Sequence, residues 1–138
     1  MTSTLAKRWR GALVLTAAAV ASVPVLTGTA AAAPGDMNAP YARAAAKVAA
    51  NGAVLASKNV ASVTRPRAGA YCVKVSDPAI DLANAAITAS INGGAYARTI
   101  SATGDPTGEC GNDPSTITVY TFYISANLSD APFTVAVL

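Results

Sequence analysis

Pro66-Arg67-Ala68-Gly69-Ala70-Tyr71-Cys72-Val73-Lys74-Val75-Ser76 sets a turn directly before a strand. Proline presets the backbone for the first turn position and glycine tolerates the conformation that ends it. In the strand that follows, Tyr71, Val73 and Val75 fall on one face, and Cys72 and Lys74 on the other. Such strict alternation is the pattern of a half-buried strand.

The same grammar continues in both directions. Upstream, Asn51-Gly52 supports a tight two-residue hairpin between strands near 45–50 and 53–57. Val60–Thr64 follows, with Val60 and Ser62 on one face and Ala61 and Val63 on the other. Downstream, Asp77-Pro78 opens a connection in which Ile80 and Leu82 tuck under the sheet, and Ile87, Ala89 and Ile91 alternate with Thr88 and Ser90. Asn92-Gly93-Gly94 turns the chain into a strand over 95–102, and a polar loop over 103–115 surrounds Cys110. The strand from Thr116 to Ser125 puts Ile117, Val119 and Tyr123 on one face and Tyr120, Phe122 and Ile124 on the other, as expected for a central or covered strand. Asn127–Ala131 then turns into Pro132–Leu138, whose place at the chain end suggests an edge open to a partner and hence to oligomerisation.

Seven or eight short strands separated by turn residues predict an all-β fold, a small antiparallel sandwich or barrel. The exception is Tyr41–Ala50, where Ala44, Ala45, Ala46, Ala49 and Ala50 favour helix by propensity and leave a short N-terminal helix as the alternative to a first strand.

Residues 1–32 read as a cleavable signal peptide. Lys7, Arg8 and Arg10 form a basic start, and an Ala-rich apolar run from Ala12 to about Val23 is too short to span a bilayer. The small residues of Thr27–Ala33 suit a peptidase, with cleavage after Ala32. This predicts a secreted, extracellular protein without stable membrane insertion: a flexible segment at 33–40, then one β domain at 41–138. Without the leader, seven basic residues face seven acidic ones, so the basic balance of the whole chain is no argument for nucleic acid. Residues 33–76 carry six basic groups and one acidic, and 77–138 carry one basic and six acidic. That split suggests internal pairing, with Lys74 facing Glu109 or Asp113; its rival is a basic recognition patch of Lys58, Arg65 and Arg67.

Cys72 and Cys110 are the only cysteines, and an oxidising destination makes their disulfide the expected staple. The chain contains no histidine, which removes Ser-His-Asp and Cys-His catalysis and the usual zinc sites. No phosphate-binding glycine loop or parallel βαβ unit is visible, so neither a catalytic residue nor a cofactor is predicted. Asp105, Glu109 and Asp113 share one loop at four-residue spacing without the alternating acids of an EF-hand, so they read as solvating residues and no metal site is predicted. Arg67, in a proline-stiffened turn near the disulfide, could serve a protease inhibitor. Tyr41 and Tyr96 are the aromatics expected at the surface, a sparse platform for carbohydrate.

Asn51-Gly52, Val54, Ser57, Asn59-Val60, Ser62-Val63-Thr64-Arg65-Pro66, Gly69 and Tyr71-Cys72-Val73 together resemble a hairpin module of small secreted proteins from high-GC Gram-positive bacteria. Similar strand–turn patterns occur in phage tail-fibre segments. The resemblance covers about residues 45–76 and implies a β fold; it brings no catalytic residues, and Ala44–Ala46 depart from its β-rich pattern. The expected function is therefore a non-catalytic binding or structural module for an extracellular macromolecule.

Overall fold

The computed structural model describes residues 33–94, 97–124 and 127–138. The strands are β1 (Gly35–Asp36), β2 (Ala44–Val48), β3 (Val54–Lys58), β4 (Val60–Arg67) and β5 (Ala70–Val75). They continue with β6 (Ile87–Ile91), β7 (Arg98–Thr103), β8 (Thr116–Tyr123) and β9 (Phe133–Val137). A single 3-10 turn, η1 (Gly108–Cys110), interrupts the loop between β7 and β8. Two sheets result, one in the order β1-β3-β2-β9-β6 and the other β4-β5-β8-β7. They do not close into a barrel; the fold is a two-sheet sandwich, antiparallel throughout except for the β1–β3 pair.

The sheets meet through the residues that the alternation assigned to one face. Tyr71, Val73 and Val75 of β5 and Ile117 and Val119 of β8 pack on Ala44, Ala46 and Val48 of β2 and on Phe133, Val135 and Val137 of β9. The Tyr71 and Phe133 rings meet edge to face at 4.9 Å between centroids. Ile80 and Leu82 close the core from the β5–β6 connection.

One alternative is decided and three readings of the sequence are corrected here. Of the strand and the helix weighed for 41–50 the strand forms, as Ala44–Val48, with only Lys47 exposed. The helical preference of alanine amounts to tenths of a kcal/mol per residue, and two hydrogen-bonded ladders plus burial against the opposite sheet outweigh it. The loop at Asn51-Gly52 has three residues. Ala49 N–H donates to the Ala53 carbonyl at 2.8 Å, only Gly52 takes positive φ, and the Asn51 side chain accepts from Ala53 N–H. In β4 a bulge between Val60 and Ser62 shifts the pleat, so Val60 and Val63 both reach the core. Finally, β9 is no edge: it lies between β2 and β6, because its apolar face completes the core.

The turn before β5 is also tighter than the sequence suggests. Arg67 pairs with Ala70, so Ala68 and Gly69 alone make the reversal and Pro66 sits inside β4. The strand accommodates it because β4 is an edge and a second irregularity falls between Thr64 and Arg67.

Candidate functional site

Three loops and two strands converge on Asp130 at one pole of the sandwich. Its carboxylate accepts two bonds from the Arg65 guanidinium, one from Gly69 N–H at 2.7 Å and one from the Tyr71 hydroxyl at 3.2 Å. The single Tyr71 hydroxyl hydrogen is shared with the nearer Ala50 carbonyl, at 2.7 Å, so the first hairpin loop joins the knot. Above all the Arg65 bonds, aided by Gly69 N–H, hold the Asp130 carboxyl at a pKa of about 2, below its ordinary 3.8. Burial raises the Tyr71 pKa, and Asp130 reinforces the shift. With both carboxylate oxygens bonded by groups of the protein itself, three donors on Oδ1 and Arg65 on Oδ2, this centre is structural.

The concave surface lies elsewhere, on the outer face of the four-stranded sheet. Residues directly opposite on paired strands share a face, so the register defines rows across it. One row is Ser62, Lys74 and Thr116; the next is Thr64, Cys72, Thr118 and Thr103; the third is Arg67, Ala70, Tyr120 and Ser101. Phe122 and Thr99 begin a fourth. Rows are about 6.7 Å apart, two residues of strand rise.

The loop between β7 and β8 covers part of this face and is fastened at four points. Cys110 is bonded to Cys72. Thr107 Oγ1 and Thr118 Oγ1 share a hydrogen bond of 2.6 Å. Arg67 forks onto Glu109 with bonds of 2.8–3.1 Å, and Lys74 pairs with Asp113. These contacts raise the pKa of Arg67 and lower those of Glu109 and Asp113, in each case chiefly through the side-chain hydrogen bond.

Between this loop and the edge strand β4 lies a groove of about 260 Å³. Ser62, Thr64 and Pro66 form one wall and Glu109 and Asp113 the other, with the disulfide, Lys74 and Thr116 across the floor. Outside the lining of the groove, in the two rows beyond Cys72 and Thr118, Tyr120 and Phe122 lie half-buried with ring centroids 6.3 Å apart and planes tilted by 37°. Exposed Thr99 and Ser101 stand next to them on β7.

The residues singled out from sequence do not assemble into one surface. Lys58 belongs to the five-stranded sheet, and its ammonium donates to the carbonyls of Ala39 and Ala42 at 2.9 and 2.7 Å. Arg65 is held by Asp130 and Arg67 by Glu109. Tyr41 is 93% exposed on a turn before β2, and Tyr96 lies outside the described residues. Internal pairing accounts for Lys74 as well, and Arg43 bonds Asp77 at 3.2 Å. The aromatic pair and its hydroxyl neighbours went unnoticed in the sequence, although alternation along β8 had put Tyr120 and Phe122 opposite the core-facing Ile117 and Val119.

Among the described residues no group of three or more histidine, cysteine, aspartate or glutamate side chains is placed to hold a metal ion. No helix among them is long and apolar enough to cross a membrane. Neither a protein-family model, nor a curated protein, nor a solved structure matches the chain.

Proposed function

We propose that the protein is secreted and acts as a non-catalytic binding or structural module, with the outer face of the β4-β5-β8-β7 sheet as its working surface. The observation that carries this reading is the groove beside the Tyr120–Phe122 pair. It is a preformed concavity whose walls are fixed by a disulfide and two ion pairs, so little ordering is required on binding. The leader-like residues 1–32 and the oxidised cysteine pair support an extracellular setting. The lack of histidine and the engagement of the acidic loop in ion pairs favour binding over chemistry. A protease-inhibitory role through Arg67 has less support, since its guanidinium is already forked onto Glu109.

Mixed arrays of soluble glycans and peptides probed with the full-length protein test the proposal. Ser101→Arg and Thr88→Arg place the same bulk at exposed strand positions of opposite sheets. Retained binding in Thr88→Arg together with loss in Ser101→Arg is the expected outcome. Equal binding by both variants, or loss only in Thr88→Arg, would move the working surface off this face.

A further inference from the structure

Resting on that reading of the outer face, we infer that its ligand is a neutral oligosaccharide or polysaccharide, laid from the groove onto the Tyr120–Phe122 pair. Three features of the face point to this chemistry.

The first is charge. Both cations beside the groove are already matched, Arg67 by Glu109 and Lys74 by Asp113. Within the lining of the groove a phosphate backbone or polyanion would meet no uncompensated positive charge, and a polycation no carboxylate without a cation partner; exposed Asp105, bonded to the Thr103 hydroxyl, lies outside that lining. An uncharged ligand loses nothing from this balance, while the paired groups still offer both donors and acceptors to it.

The second is the polar lining. Ser62 and Thr64 rim the groove, and Thr99 and Ser101 flank the aromatic pair. A hydroxyl both donates and accepts, which suits a ligand whose own polar groups are hydroxyls. A peptide strand would instead need free main-chain groups at a sheet edge. Here the groove is lined by side chains that project from the sheet's face, over β5 and β8, whose main-chain groups are engaged in ladders on both sides; the free edge of β4 lies at the rim, and random hexapeptides test it.

The third is the aromatic pair. Two half-buried rings on one strand, one row apart, offer adjacent apolar contacts beside hydroxyls. Successive sugar units have an apolar C–H face and a hydroxyl rim, and match that combination. The carbohydrate platform is thus assigned to Tyr120 and Phe122, and not to Tyr41.

Isotope-labelled full-length protein is titrated with cellohexaose, xylohexaose, mannohexaose, maltohexaose and chitohexaose, with an oligogalacturonate as the charged counterpart and a pool of random hexapeptides in parallel. NMR shifts are followed by residue. The expected result is saturable shifts at Thr64, Thr99, Ser101 and Tyr120 with at least one neutral hexasaccharide, weaker shifts with the oligogalacturonate, and affinity reduced by about tenfold in Tyr120→Ala. Ser101→Arg, which removes nothing from the core, should lose the shifts as well, and Tyr41→Ala should keep them. Shifts on this face with hexapeptides alone would overturn the glycan inference and leave the binding surface standing. Shifts confined to other surfaces would overturn both, and no shift with any of the five neutral sugars would overturn the inference.

Discussion

Replacing Asp130 by asparagine should detach one pole of the sandwich, and the size of the effect follows from its bonds. The carboxylate binds Arg65 through two bonds and Gly69 N–H through a third. Asparagine keeps the shape but removes the charge and turns an N–H₂ group toward the guanidinium or the Gly69 amide. Folding draws the carboxyl from 3.8 to about 2, which at about 1.4 kcal/mol per pH unit corresponds to roughly 2.4 kcal/mol. The Arg65 and Asp130 side chains are 33% and 30% exposed, so solvent screening reduces this to about 1–2 kcal/mol. Because the folded-state value is the lower one, this contribution is complete above the unfolded-state pKa near 4 and is lost as pH falls through about 2. The assay is urea unfolding of the wild-type protein and Asp130→Asn at fixed ionic strength, followed by far-UV circular dichroism from pH 7 to pH 2. Using the difference between the two proteins cancels the other carboxylates. A gap of about 1–2 kcal/mol at pH 7 that closes toward pH 2 is expected. No gap at pH 7, or one that stays constant down to pH 2, would refute the assignment of Asp130 as the organising charge.

Removing the disulfide with Cys72→Ala and Cys110→Ala frees a loop of 38 residues and should cost about 3–4 kcal/mol in the same denaturation experiment; a loss under 1 kcal/mol would mean that Thr107, Glu109 and Asp113 hold the loop unaided. Gly69→Ala forces a Cβ to 2.5 Å from Ser129 N and 2.7 Å from Thr121 O at a φ of +71°, whereas at Gly93, φ +75°, a Cβ meets nothing within 4 Å. Gly93→Ala should therefore cost about 1 kcal/mol for backbone conformation alone, and Gly69→Ala at least about 2 kcal/mol more; equal costs would argue against the close packing at Gly69. Expression in a Gram-positive host should yield a protein in the medium whose intact mass begins at Ala33 and lacks two hydrogens at the cysteines; retention of residues 1–32 would contradict the signal-peptide reading.

How far the sequence could carry these conclusions depended on whether the relevant information was local. β5 and β6 were readable because Tyr71-Cys72-Val73-Lys74-Val75 and Ile87-Thr88-Ala89-Ser90-Ile91 alternate strictly, and a pleat converts alternation directly into two faces. The disulfide was readable because only two cysteines exist. β2 kept a helix as its rival because alanine's helical preference is a property of the residue, while its burial depends on β3, β9 and the opposite sheet. The place of β9 was hidden for the same reason: nothing within Phe133–Val137 states that it is inserted between β2 and β6, strands far apart in the chain. The bulge at Val60 moves Val63 to the core, and a one-residue shift of this kind reverses any reading by parity.

The site was harder to read than the fold. Charge segregation along the chain pointed to internal pairing, and Lys74–Asp113, Arg67–Glu109 and Arg65–Asp130 each join a basic residue of the first segment to an acid of the second. Alternation along β8 also separated Tyr120 and Phe122 from Ile117 and Val119. It could not state that the loop after β7 would cover Thr116 and Thr118 yet leave the two rings half-exposed. That boundary is set by the position of Cys110 over Cys72, a long-range contact.

Hydroxyl-radical footprinting of the full-length protein, free and in the presence of the combined glycan and peptide pools, reads the working surface residue by residue. Reduced oxidation of Tyr120 and Phe122, with Tyr41, Leu55 and Leu138 reacting as in the free protein, is the predicted result. Protection of Tyr41 or Leu55 while Tyr120 and Phe122 remain fully reactive would contradict the claim that this protein works through the outer face of its four-stranded sheet.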